Sequence, residues 1–216
     1  MQKQAVGIFA KEPVAGRVKT RMCPPLSPSQ AAALYETSLR ETVASMAAGH
    51  FDLVLFCAGE AEWFRGAFPD LPLVAQQGTD LGERMTAALA HLQASYEKTA
   101  LIGSDSPDLP PVLVEEALAA LDGEGVVVIP ASDGGYALVG ERGHHPEMFR
   151  DIPWSTAEVL PASRRRAAEC SIALKEVGKW EDLDDLHSLQ RLVQRSPASR
   201  TAAFAREHLA DLLSIL

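Results

Sequence analysis

Short apolar runs recur along the chain, each followed by a polar or Gly/Pro-rich loop and then by apolar residues at helical spacing. Val6–Ala10 (VGIFA), Asp52–Ala58 (DLVLFCA), Ala100–Ile102 and Gly125–Pro130 (GVVVIP) have the length and composition of strands buried on both faces. Leu73-Val74, Ala137–Gly140 (ALVG) and the alternating Ile172–Val177 are shorter strand candidates. The segments between them read as helices. Ser27-Pro28-Ser29-Gln30 is a capping box with proline at the first helical position, and Tyr35, Leu39, Thr42, Val43 and Met46 follow it at helical spacing until Gly49. Asp80 with Glu83 forms a second box, opening a helix that runs to about Tyr96. Val114, Ala117, Leu118 and Leu121 mark another helix, closed by Asp122-Gly123.

Other stretches are less regular. Glu60–Pro72 has no period and reads as irregular, with Trp63, Phe64 and Phe68 as packing residues. Ser155 with Glu158 forms a third capping box, opening a helix toward Cys170 in which Pro161 is placed to make a kink. Lys179–Leu186 (KWEDLDDL) reads as an acidic helix start, and the last ~20 residues as an amphipathic helix. No repeat, linker or low-complexity tract interrupts the chain, so residues 1–216 read as a single domain. Strands alternating with capped helices predict an α/β fold in three α/β/α layers, with a mostly parallel sheet covered on both faces.

Composition narrows this picture. At 47% apolar residues the chain is globular, and no apolar run approaches the ~20 residues of a membrane helix. The start, MQKQAVGIFAKEP, lacks the apolar core and cleavage site of a signal peptide, which points to the cytoplasm. Cys23, Cys57 and Cys170 are far apart with no CxxC, and read as reduced thiols, two of them in the core. His144-His145, in a polar stretch before Pro146, reads as surface. The net charge of −9 argues against a nucleic-acid surface and makes any basic cluster conspicuous.

One such cluster follows the first strand: Lys11, Arg17, Lys19 and Arg21 stand against Glu12 alone in KEPVAGRVKTR. That is where α/β folds bind phosphate, and a solvated basic loop is the other reading. Lys19-Thr20 imitates the end of a Walker A loop, but the glycine spacing is wrong. The central strand ends in GSDSPDLP, which puts Asp105 on the carboxyl edge of the sheet. A carboxylate there suits a hard divalent cation that grips phosphate, while Asp105 and Asp108 are equally at home as turn and cap residues. Gly78 and Gly82 flank a helix start, where they allow close approach of a ligand or simply shape the turn. ASDGGY, after the next strand, offers the same two readings, since Asp133-Gly134 is also an ordinary hairpin turn.

Taken in order, FAKEPVAGRVKTRM, QGTDLGERM, LIGSDSPDLP, ASDGGYALVG and KWEDLDDL resemble the nucleotide-diphospho-sugar transferase superfamily, with its glycosyltransferase A (Rossmann-like) fold. The likeness spans roughly Val6 to Leu189 and is nearest to a branch of small bacterial glycosyltransferase-like proteins. The motif order is also similar to molybdenum-cofactor and 2-phospholactate guanylyltransferases. The resemblance implies that Lys11, Gly16, Arg17, Lys19 and Arg21 wrap nucleotide phosphates. It implies that Gly78, Leu81, Gly82 and Arg84 contact base or ribose, and that Asp133, Gly134, Gly135 and Tyr136 face an acceptor. Asp105 would bind Mg²⁺ or Mn²⁺ with Asp184, although Asp185-Leu186 replace the Thr-Pro that follows the second acid in relatives, leaving Asp182 as an alternative.

The loop after the first strand lacks the glycine-rich pattern of sugar nucleotidyltransferases, and the second acid of a DxD comes one place late, at Asp108. Transfer at phosphate asks mainly for positioning and charge neutralisation, which a metal on Asp105 with Lys19 and Arg21 supplies. Asp105 and Lys19 are therefore the candidate catalytic residues. The expected activity is a metal-dependent transferase using a nucleotide-sugar and a small-molecule acceptor. A guanylyltransferase-like nucleotidyltransferase and a non-catalytic nucleotide-binding module are the alternatives.

Overall fold

The apolar runs assemble into one seven-stranded sheet in a computed structural model that describes residues 4–213. In chain order the elements are β1 (Gln4–Lys11), α1 (Pro28–Met46), β2 (Asp52–Ala58), α2 (Ala61–Ala67), β3 (Leu73–Ala75), α3 (Leu81–Gln93), β4 (Lys98–Gly103) and α4 (Pro111–Ala120). They continue with β5 (Gly125–Pro130), β6 (Tyr136–Arg142), α5 (Val159–Glu169), β7 (Leu174–Glu176), α6 (Leu186–Arg195), α7 (Arg200–His208) and α8 (Ala210–Leu213). The strand order is β3-β2-β1-β4-β6-β5-β7. Only β6 runs antiparallel, paired with β4 on one side and β5 on the other. The other six strands therefore end along one edge, and β4 lies at the centre.

Burial explains the order. Four consecutive residues of β1 (Ala5–Ile8) and five of β5 (Gly125–Ile129) are fully buried, as strands covered on both faces must be. One layer packs Leu39, Val43, Phe64, Val114 and Leu118 on the sheet, and the other packs Met85, Leu89, Leu92, Phe149 and Leu160. A further cluster joins Leu34 of α1 to Leu189, Leu192, Ala202 and Ala205 of α6 and α7. Glu41 fastens that docking by accepting from the Arg200 and Thr201 amides at 2.6 and 2.7 Å, supplying the free donors of a helix start. Among the described residues no helix is long and apolar enough to cross a membrane.

Several sequence expectations change here. Glu60–Pro72 contains α2, because Trp63, Phe64 and Phe68 pack on one another and hold a short helix that propensity alone would not. α3 ends at Gln93 rather than Tyr96, and β7 keeps only three residues of Ile172–Val177. At the start of α3, Asp80 accepts from the Glu83 amide, but the Glu83 carboxylate turns to Thr79, so the reciprocal half of the box is missing. Ser155 caps nothing: α5 begins at Val159 after Glu158, and Pro161 falls in its first turn, where it costs no hydrogen bond and makes no kink.

The C-terminal stretch is broken at Leu209 into α7 and α8, while residues 214–216 of the expected helix lie outside the described residues. Cys57 alone of the three thiols is buried, and burial pushes it up to about 11. His144 is exposed, as a surface residue should be, whereas His145 is half-buried. The fully buried Glu141 accepts from the His145 amide and from Gln93, with His144 Nδ1 2.8 Å away. Burial raises the Glu141 pKa and the histidine beside it pulls the other way.

Candidate active site

The ends of β1 and β4, the loops after β1, β3 and β5, the start of α3, part of β6, the loop that carries Ser155–Ala157 and, from the far side of the chain, the loop that carries Asp182–Asp184 enclose a cleft of about 850 Å³. That size and position, above the carboxyl edge of an open α/β sheet, suit a small-molecule ligand. β4 delivers the centre. Its exit loop is locked from α1, where Tyr35 shares a hydrogen bond of 2.9 Å with Ser104 and Ser38 donates to the Ser104 carbonyl at 3.0 Å. The Lys11 amide donates to the Tyr35 hydroxyl at 2.8 Å, which ties the end of β1 to the same point. Burial, and then the nearby Asp105 charge, push that hydroxyl up to about 12, so it stays a neutral linker.

The far loop comes from Val177–Leu183. The Trp180 amide donates to Pro130, and the Leu183 amide donates to the Asp105 carbonyl at 2.7 Å. This stitch brings Asp182 and Asp184 to Asp105 across nearly eighty positions of sequence. Asp182 accepts from the Ser106 hydroxyl. Burial foremost, with the charges of Asp105, Asp184 and Asp133, pushes Asp182 up to about 6. Asp184 is raised as well, chiefly by burial, against the lowering charge of Lys19; it lies 3.9 Å from Arg21 and is 36% exposed.

Lys19 sits inside this ring of acids. Its side chain is only 5% exposed, its ammonium lies 2.5 Å from Asp105 Oδ1, and it also donates to the Leu183 carbonyl. Asp105 Oδ1 is shut off from solvent and meets the ammonium as a charge contact rather than an aligned hydrogen bond. Among the described residues no three His, Cys, Asp or Glu side chains stand together as a ready cation cage. The donor set nevertheless fits a hard cation of the Mg²⁺ type, which takes one or two carboxylates and fills its remaining positions with water and phosphate.

The residues singled out in the sequence divide clearly. Lys11, Arg17, Lys19, Arg21, Leu81, Arg84, Asp105, Asp133, Tyr136, Asp182 and Asp184 all line the cleft. Gly16, Gly78, Gly82, Gly134 and Gly135 do not. Gly134 takes a left-handed φ of +93° and rests against the backbone of Ala157, so its missing side chain serves the hairpin turn. Gly82 serves packing: a Cβ there would lie 2.6 Å from the Phe149 carbonyl and 2.8 Å from Trp154 Nε1. Gly82→Ala is therefore expected to destabilise the protein by about 1–3 kcal/mol in urea unfolding, despite alanine's better helix propensity. A gain in stability would mean that the contact yields easily.

Asp108 is absent from the cleft, and its ion pair with Arg195 explains why no DxD forms. Sequence reasoning missed Tyr35, Gln76, Thr79, Ser155 and Thr156, which also line the cleft. Ser155 holds a left-handed φ of 65°, a conformation unusual for serine, and the only signal of it was a capping pattern that pointed elsewhere. Tyr136 is wedged edge-on against Trp154, and burial raises its pKa, which leaves it a neutral wall of the cleft.

Comparison with known proteins follows this geometry. A family model described as "Uncharacterized protein conserved in bacteria (DUF2064)" matches residues 41–156. No curated protein matches the sequence. A candidate nucleotide-diphospho-sugar transferase from Desulfovibrio desulfuricans G20 superposes with a TM-score of 0.89 at 33% identity, over 99% of this chain and 97% of that one. A CMP:2-keto-3-deoxy-manno-octonic acid synthetase complexed with CTP shares the fold at TM-score 0.61 and 9% identity, over 91% of this chain and 99% of its own. Rv0371c of Mycobacterium tuberculosis H37Rv, in complex with manganese, does so at TM-score 0.56 and 18% identity, over 90% and 99%.

Proposed function

The chain belongs to the DUF2064 family and has the nucleotide-diphospho-sugar transferase fold, and from that premise we propose that it is a metal-dependent transferase with a nucleotide-sugar as donor. The observation that carries the reading is the charge layout of the cleft. All its basic side chains (Lys11, Arg17, Lys19, Arg21 and Arg84) come from the loop after β1 and the start of α3. Four of its acids (Asp105, Asp133, Asp182 and Asp184) come from the centre and from the β5–β7 side, and the fifth, Asp80, stands at the start of α3, where its side chain caps the helix.

A nucleoside diphosphate fits the basic half. The phosphates lie along Lys11, Arg17 and Arg21, and the base or ribose rests on Leu81, an apolar side chain left 41% exposed at the cleft wall, beside Arg84. Asp105 and Asp184 are the residues that hold Mg²⁺ or Mn²⁺, with the phosphates as further ligands. When bound, the metal supplies charge neutralisation to the departing diphosphate. The fold relatives solved with CTP and with manganese agree with a nucleotide and a divalent cation as ligands.

The acceptor half decides between the two chemistries. Nucleotidyl transfer to a phosphorylated acceptor would put a second anion beside Asp133, Asp182, Tyr136, Ser155 and Thr156, where no lysine or arginine lines the cleft among the described residues. A neutral hydroxyl-bearing acceptor meets no such repulsion, so glycosyl transfer is the better reading. The test is a panel of nucleotide-sugars incubated with Mn²⁺. Slow metal-dependent release of a nucleoside diphosphate from at least one of them, with water in place of the acceptor, is expected. Pyrophosphate release from a triphosphate and a sugar phosphate, with every nucleotide-sugar intact, would establish nucleotidyl transfer. Binding without either reaction would leave a nucleotide-binding module.

A further inference from the structure

We infer that the Lys19 ammonium is the resident cation of the acidic centre, held on Asp105 in place of the divalent metal until a phosphate-bearing ligand draws it away. The inference rests on the metal reading above and adds an order to it: metal and phosphate enter together.

Three observations converge. Lys19 takes a left-handed backbone conformation (φ 48°, ψ 36°), uncommon for a residue with a side chain, and the Met22 amide fixes it by donating to its carbonyl at 2.9 Å. That turn sends a long, charged side chain inward from the same loop whose Lys11 and Arg17 stay exposed. Its ammonium then contacts Asp105 Oδ1 at 2.5 Å and the Leu183 carbonyl. Finally, Asp105, Asp133, Asp182 and Asp184 all line the cleft, the charges of Asp105 and Asp133 bear on both Asp182 and Asp184, and Lys19 opposes them at Asp184.

Carboxylates that line one cleft repel, and a cation at Asp105 offsets part of that repulsion. Lys19 does so in the ligand-free chain. A divalent cation draws on the same Asp105 carboxylate, whose single charge the ammonium already offsets, so metal alone meets a neutralised ligand and the repulsion of a neighbouring cation. Phosphate changes the balance. A lysine is a compact charge on a flexible stem, and a diphosphate lying along the basic loop offers it an alternative anion. Vacated by Lys19, Asp105 is free for the metal. Linkage makes the coupling reciprocal: the factor by which phosphate tightens metal is the factor by which metal tightens phosphate.

The test reads Mn²⁺ binding directly, by electron paramagnetic resonance of the free ion, with no substrate turnover. Wild type should bind Mn²⁺ weakly. Lys19→Met and Lys19→Gln, two neutral replacements of similar length, should each bind it about tenfold tighter or more, as expected when a competing charge leaves a partly shielded carboxylate. Mn²⁺ should also raise their melting temperatures more than that of wild type. Adding Asp105→Asn to Lys19→Met should remove the gain. Equal Mn²⁺ affinity in wild type and both variants would overturn the inference while leaving the metal site intact. Failure of every protein to bind Mn²⁺, even with a nucleoside diphosphate present, would overturn the metal reading and this inference with it.

Discussion

Asp105→Asn is expected to make nucleotide affinity indifferent to Mg²⁺ and to lower turnover by about a hundred- to a thousandfold, the several kcal/mol that a charge-neutralising cation supplies. The residue sits where β4 ends, with Oδ1 turned to Lys19 and the side chain still 40% exposed to the cleft. Asparagine keeps the shape and removes the charge. The substitution is not silent for the fold, because the Lys19 ammonium loses its contact anion and keeps the Leu183 carbonyl and the more distant charge of Asp184. Calorimetric titration of a nucleoside diphosphate with Mg²⁺ and with EDTA checks the expectation. A variant whose affinity still falls on chelation would move the metal to other ligands.

The largest effect on stability is expected from Asp108→Ala, at about 3 kcal/mol, the lower end of what losing three hydrogen bonds to a buried carboxylate costs, since Arg195 itself is exposed. Asp108 is 5% exposed and accepts from Arg195 Nε and Nη2 at 2.7 and 2.9 Å and from the Ser196 hydroxyl at 2.6 Å. Arg195 also lies over the Trp180 ring, 5.3 Å from its centre, and holds Glu181 at 2.8 Å. Glu181 stays behind in the variant, which is why the lower end applies. The network clamps α6 to the loop after β4 and so holds the two loops that carry Asp105 and Asp182. For a chain of this size the loss corresponds to roughly 6–12 °C in melting temperature. A shift of a degree or two would mean that the pair behaves like an exposed salt bridge.

The two acids of GSDSPD show why the sequence could be read in one respect and not in another. Both follow a buried strand, both precede proline, and each suits either a ligand site or a turn. What separates them is a partner far along the chain. Asp108 meets Arg195, 87 positions on, and is consumed by structure, whereas Asp105 faces the cleft and meets Lys19. The same holds for the glycines: QGTDLG and ASDGGY mark the right places, yet Gly82 and Gly134 are small because Phe149, Trp154 and Ala157 press on them.

The sequence by itself determined the strands of the sheet, the helices with strong caps, the α/β class, and the position of the basic loop and of Asp105 at strand ends. These follow from periodicity and from short-range hydrogen bonds such as Ser27 with Gln30, which act within a turn or a strand. Only the tertiary structure decided that Lys19 reaches Leu183, 164 positions away, that Ser106 holds Asp182, and that Ser155 and Thr156 line the cleft. Such contacts depend on which loops share an edge of the sheet. That sharing is fixed by the burial of whole faces across the strand order β3-β2-β1-β4-β6-β5-β7, which no local window of residues encodes.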